Sequence, residues 1–163
     1  ANPKKGITYR WIPNHLQDAS GRIAPRSFLK LFALAAQSRI EKISHNEQNL
    51  MLLQPADLQG ALMNTSEDRI RELQEEYPWL ELLKTSLIGL TAPIEKEIFL
   101  ERIKSTIWIP EKQPPITKPE GILQYLLQLG VVENRRSDGR INMPEIYLYG
   151  FKVKRKGGVK RPK

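Results

Sequence analysis

The sequence predicts a mainly α fold, a helical bundle followed by a winged helix-turn-helix with a small antiparallel β-hairpin. Three observations predict it. Apolar residues recur at helical spacing through most of residues 25–129, and prolines stand where several of those stretches begin. Two short extended segments at 131–135 and 140–143 flank Ser137-Asp138-Gly139, a hairpin turn.

Residues 8–12, Thr-Tyr-Arg-Trp-Ile, read as extended or a short strand, and Asp18-Ala19-Ser20-Gly21 as a turn. Pro25 opens a helix, because a proline in the first turn lacks only an N–H with no helical partner. Phe28, Leu29, Phe32, Ala35, Ala36 and Ile40 are its apolar positions. Residues 41–54 begin helical and break around Ser44 to Asn49. Pro55 opens the next helix, with Leu58, Leu62 and Met63 apolar. Ser66 before Glu67 and Asp68 reads as an N-cap with first-turn acids. Ile70, Leu73 and Tyr77 continue the stripe to Pro78. The spacing leaves open whether 55–77 is one helix or two joined at Asn64-Thr65. Trp79, Leu80, Leu82, Leu83, Leu87 and Ile88 belong to a further apolar helix ending near Gly89.

Thr91 is expected to cap a helix with Pro93 near its start and Ile94, Ile98, Phe99, Leu100 and Ile103 inward. A proline-rich link, Pro110 to Pro115, leads to a helix over Pro119–Leu129. Thr117 is its expected cap and Gly130 its end. Ile122, Leu123, Leu126, Leu127 and Leu129 are its buried face. The hairpin follows, closed by Pro144. Helices and then a hairpin is the winged-helix order; other small α+β hairpin folds share it. The division expected is 1–77 as an N-terminal helical region, 78–151 as the winged-helix domain and 152–163 as a disordered basic tail.

Hydrophobic residues are 40% of the 163 and charged residues 27%, values of a chain that packs a core. Net charge is +8, yet residues 151–163 hold seven basic side chains and no acid, which leaves +1 for residues 1–150. Such a tail suits phosphate backbones or acidic protein surfaces, and equally a solvated end. No apolar run approaches a membrane span and no signal peptide stands at the N-terminus, so a cytoplasmic protein without membrane contact is expected. The opening Ala1-Asn2-Pro3 reads as the start of a fragment.

The absence of Cys excludes disulfides and thiolate chemistry. None of the ten glycines precedes a lysine, so no phosphate-cradling Gly-Lys-Ser/Thr loop is present. His15 and His45 are the only histidines, without the spacing of a metal site. Paired acids such as Glu75-Glu76 sit on helices among Arg and Lys and read as solvated ion-pair faces. Arg22 and Arg26 stand at a turn leading into a helix. Their planar forks suit phosphate oxygens, although Arg26 could simply pair with Asp18.

Thr8-Tyr9-Arg10-Trp11-Ile12-Pro13-Asn14-His15-Leu16, with Arg22 to Leu29, resembles the end of the nucleotide-binding region of bacterial P-loop ATPases of the AAA+/STAND type. The resemblance implies that 25–88 are lid-like helices. It implies that Arg26, with Arg22 as substitute, matches the second sensor arginine that touches a nucleotide's terminal phosphates. Leu126 to Glu133 and Asp138 to Tyr147 resemble the last helix and wing of the winged-helix domain that follows such lids. Tyr149 to Gly158 is similar to the close of the same class. These segments cover about half the chain. A Walker A lysine and a recognisable Walker B strand are missing, so the resemblance implies an upstream catalytic domain that would hold ATP and Mg. This chain itself is expected to take no cofactor and to hold no metal.

The leading expectation is therefore a non-catalytic regulatory or interaction module of a multidomain bacterial P-loop ATPase, partnered by the upstream ATPase domain and by nucleic acid or an acidic protein surface. One alternative is a stand-alone winged-helix DNA-binding protein. The helix at 118–129 presents Lys118, Glu120, Gln124, Tyr125 and Gln128, a poor face for the major groove. Backbone contact would fall to Arg135, Arg136, Arg140, Lys152, Lys154, Arg155 and Lys156. Another alternative is a protein-interaction module without nucleic acid.

Overall fold

The structure, a computed structural model, describes residues 8–42 and 52–157. The break expected at Ser44–Asn49 and the tail beyond residue 157 lie outside the described residues. The fold is mainly helical, with a small antiparallel hairpin and a parallel strand pair.

Residues Thr8–Leu16 form α1, not the expected extended segment. The helix sets Trp11 and His15 on one face, with rings stacked at 4.0 Å, and the Trp11 carbonyl lies 2.7 Å from His15 Nδ1. It also buries Leu16 completely. Local β preference of Tyr, Trp and Ile is weak beside that burial. The turn at Asp18–Gly21 forms as expected, with Gly21 at positive φ. α2 runs Pro25–Lys42. Its inward residues are Ser27, Leu31, Ala35 and Arg39, whereas Phe28, Leu29 and Ile40 from the expected stripe are exposed.

α3 is one uninterrupted helix, Pro55–Glu76, packed along α2. At its start the Gln54 N–H donates to Asp57 Oδ2 at 2.9 Å, which ties down the entering chain. Pro78 stops it, since a proline cannot continue the ladder. Ser66 is not a cap. It lies buried in mid-helix, and its Oγ accepts the Gly150 N–H at 2.9 Å. Next to it, Thr65 Oγ1 donates to the Ala61 carbonyl at 2.9 Å, so neither hydroxyl is stranded in the core.

α4 spans Leu80–Leu87 and buries Leu80, Leu83 and Leu87. Thr91 does not cap a helix: Thr91–Ala92 is strand β1, and α5 begins later, at Lys96–Lys104. α5 buries Phe99 and Ile103 but leaves Ile98 exposed. A short 3-10 turn at Pro110–Lys112 leads to α6, Pro119–Gln128, entered from Lys118 rather than Thr117. Gly130 ends α6 at φ +73°, with its N–H on the Leu127 carbonyl and the Val131 N–H on the Leu126 carbonyl. That pair of bonds satisfies the last helical carbonyls. The strands β2 (Glu133–Asn134) and β3 (Ile141–Asn142) pair antiparallel, Glu133 against Asn142 and Asn134 against Ile141. Ile94 bridges Ile141 through two 2.8 Å backbone bonds, which sets the chain after β1 beside the hairpin.

The remaining elements carry the chain back to the N-terminal half. α7, Glu145–Leu148, packs on α3 and α1 and buries Ile146, Tyr147 and Leu148. β4, Lys154–Arg155, then pairs parallel with β1. The expected disorder from residue 152 is therefore incorrect up to residue 157, because Phe151 and Val153 are buried and backbone bonds hold the strand. One buried cluster runs from Leu16 through Ile70, Phe99 and Leu126 to Val153, so the halves expected on either side of residue 77 share a core.

Two outcomes test this packing. A Cβ at Gly150 would collide with the Ile70 side chain and lie 2.7 Å from the Ser66 carbonyl, while one at Gly157 meets nothing. Gly150→Ala should cost about 2–3 kcal/mol in denaturant unfolding and Gly157→Ala close to nothing. Asp57 titrates below its ordinary 3.8 because of the Gln54 N–H, with Lys42 adding to the effect. Its contribution is thus complete above the ordinary carboxylate range and is lost as pH falls through the lower folded value. Melting of Asp57→Asn should lag the parent at neutral pH and converge with it in acid.

Candidate functional site

Two groups of basic residues stand out, one at the end of the chain and one at the start of α2. The first is built on paired backbone. The Arg135 N–H donates to the Arg140 carbonyl at 2.8 Å and closes the hairpin turn, with Gly139 at φ +70°. Arg140 Nη2 lies 2.8 Å from Glu95 Oε1, and its Nε lies 3.8 Å from Asp138. Arg135 Nε is 3.6 Å from Asp138. Arg136 is exposed and has no ion-pair partner among the described residues.

β4 brings the second set of basic side chains to the same region. The Lys154 N–H donates to the Leu90 carbonyl at 2.7 Å and the Lys156 N–H to the Ala92 carbonyl at 2.9 Å. Arg155 Nη2 reaches the Met143 carbonyl at 3.4 Å, just past β3. Arg140 and Lys156 consequently line one groove of about 430 Å³, together with Ile94, Glu95 and Ile98. Lys152, Lys154 and Arg155 line a neighbouring cleft of about 510 Å³ with Tyr149 and Glu145. Lys152 is the one residue other than glycine at positive φ among the described residues, at 55°. Of the hairpin arginines, the structure therefore brings Arg140 to the same groove as Lys156, beside the Ile94–Ile141 bridge.

Arg22 and Arg26 are placed elsewhere. Arg22 Nε pairs with Asp18 Oδ2 at 3.1 Å, and Asp18 Oδ1 also accepts the Ser20 and Arg22 N–H groups. Arg26 does not pair with Asp18. It stands 4.0 Å from Asp68 and 3.9 Å from Glu72 on α3, with its side chain 61% exposed. Neither arginine is paired with the hairpin among the described residues.

Arg69 was not among the residues expected to matter. Its Nη1 meets Glu72 Oε2 at 2.5 Å, and it lies beside the buried Tyr147 hydroxyl. Burial works against its charge, but Tyr147 and Glu72 outweigh that and raise its pKa, while burial pushes the Tyr147 hydroxyl up. The only trace in the sequence is its position one turn from Glu72 and Leu73. β4 did leave a signal: Phe151 and Val153 alternate with Lys152 and Lys154.

On α6, Lys118, Glu120, Gln124 and Gln128 are exposed. Tyr125, expected on the same face, instead packs on Tyr77 at 5.9 Å and Trp79 at 6.0 Å. Among the described residues no cluster of His, Cys, Asp or Glu could hold a metal ion, and no helix is long and apolar enough to cross a membrane. Compared with protein-family models, curated proteins and solved structures, the chain matches none.

Exposed and half-buried arginines should respond differently to truncation. Arg26→Ala should change unfolding free energy by less than about 0.5 kcal/mol. Arg69→Ala, which strips partners from Glu72 and Tyr147, should cost about 1–3 kcal/mol in the same measurement.

Proposed function

We propose that the chain is a non-catalytic interaction module that contacts the phosphate backbone of nucleic acid through its hairpin turn and C-terminal strand. The observation that carries this reading is the convergence of Arg140 and Lys156 on one groove, with Lys152, Lys154 and Arg155 alongside. Fixed strands present these charges, so little ordering entropy opposes their use. Residues 151–163 hold seven basic side chains against a net +1 for residues 1–150, which favours a polyanion contact at β4 and the adjoining hairpin.

The second half is read as a winged helix. Support comes from the order α4, β1, α5, α6, β2, β3, and from Ile94 pairing with Ile141 beside the hairpin. α6 would occupy the recognition position, but its exposed side chains include Glu120 and only Lys118 as a base. Backbone contact fits better than reading of base edges. The resemblance of 8–16, 22–29, 126–133, 138–147 and 149–158 to P-loop ATPases supports a place downstream of a nucleotide-binding domain, where Arg26, or Arg22 in its place, would contact a nucleotide held there. The neutral α6 face favours one other reading, an acidic protein surface as the partner of the same basic groove.

Binding to random-sequence duplex should be measurable at low salt and fall linearly in log K against log salt. Replacing Arg135, Arg136 and Arg140 by Ala should flatten that slope by roughly 2–3, about 0.9 for each phosphate that is no longer neutralised. Glu95→Ala, which releases Arg140, should tighten binding. Failure to bind any duplex at low salt would overturn the reading, and retention on an acidic polypeptide in that case would favour the protein partner.

A further inference from the structure

We infer that α2 is a self-association surface, and that two copies of the chain pair antiparallel through its outward face. This does not rest on the nucleic-acid reading, since the basic groove is built from other elements.

α2 carries apolar residues on two faces. Leu31 and Ala35 face α3 and are fully buried. Leu29, Ala33, Ala36 and Ile40, spaced 4, 3 and 4 apart, form a second stripe on the opposite side. Leu29 is 68% exposed and Ile40 72% exposed. Phe28 and Phe32, in ring contact at 4.9 Å, widen this apolar strip along one flank. An uninterrupted apolar stripe on a surface helix is the pattern of a helix that packs against another helix.

The stripe reads large, small, small, large, which identifies the occupant. In an antiparallel pair centred between residues 34 and 35, Leu29 meets Ile40 of the second copy at each end. Ala33 meets Ala36 at the crossing, where small side chains let the two backbones approach. The same patch on both copies is then self-complementary, as two-fold symmetry requires. Charge selects the direction. Arg26 and Lys30, loosely placed 3.7–4.0 Å from Asp68 and Glu72 of α3 within one copy, flank the N-terminal half of the stripe, and Glu41 lies on the same flank of the C-terminal half. In the antiparallel arrangement Glu41 of one copy sits between Arg26 and Lys30 of the other, twice over. A parallel two-fold pair would set this flank against the opposite flank of the second helix, which carries Phe28 and Phe32, so Glu41 would not meet Arg26 or Lys30. A single helix face is a small interface, so the pair should be in exchange with monomer rather than obligate.

Sedimentation velocity on the full chain, from low micromolar to near-millimolar concentration, reads the equilibrium. A reversible monomer–dimer shift is expected. Leu29→Glu and Ile40→Glu, both at exposed positions, should abolish it while leaving the thermal transition unchanged. The direction is read by cross-linking, which the Cys-free sequence makes clean. Mild oxidation of mixed Leu29→Cys and Ile40→Cys chains should give chiefly the mixed disulfide. Like positions would stand on the order of 16 Å apart along the helix axes. A chain that stays monomeric throughout, a dimer indifferent to Leu29→Glu, or cross-linking mainly between like positions would each overturn the proposal.

Discussion

The approach of Gly150 to α3 constrains most of the molecule. Its N–H reaches the Ser66 hydroxyl, and its Cα faces Ile70 with no room for a side chain. α3 is the longest described helix, and α2 lies along it. By closing on Ser66, the segment around Gly150 is anchored to that pair. α7 on one side of Gly150 and Phe151 and Val153 on the other are then buried, and β4 is delivered to β1. A glycine here is a matter of distance rather than of conformational freedom.

Anchoring decides what the basic residues can do. A solvated tail would spread its charge over many conformations and lose entropy on binding. Two backbone bonds to Leu90 and Ala92 hold Lys154 and Lys156 at a set spacing from the hairpin instead. The acids nearby, Glu95 and Asp138, orient Arg140 without cancelling the local excess of positive charge.

Several features were legible because short-range chemistry governs them. Pro25, Pro55 and Pro119 open helices, Pro78 stops one, and Gly130 ends another at positive φ. Ser137-Asp138-Gly139 turns the hairpin. The misreadings occur where a residue type serves two purposes. Ser66 and Thr91 have the chemistry of caps, yet one is buried by a distant glycine and the other is drawn into a strand by residue 154. In α2 the periodicity of the apolar residues was visible, but both faces of the helix are apolar, and only α3 decides which is buried.

The amino-acid sequence by itself determined the helical class, the positions of most helix starts and ends, the hairpin, and the concentration of positive charge near the C-terminus. Each depends on residues a few positions apart. Only the tertiary structure decided that residues 8–16 are helical, that the chain continues as strand β4 beyond residue 153, and that Arg140 of the hairpin shares a groove with Lys156. Those outcomes depend on partners up to 84 positions away, as for Gly150 and Ser66. Local propensity is worth tenths of a kcal/mol per residue, and burying a large side chain is worth about 1.5–3.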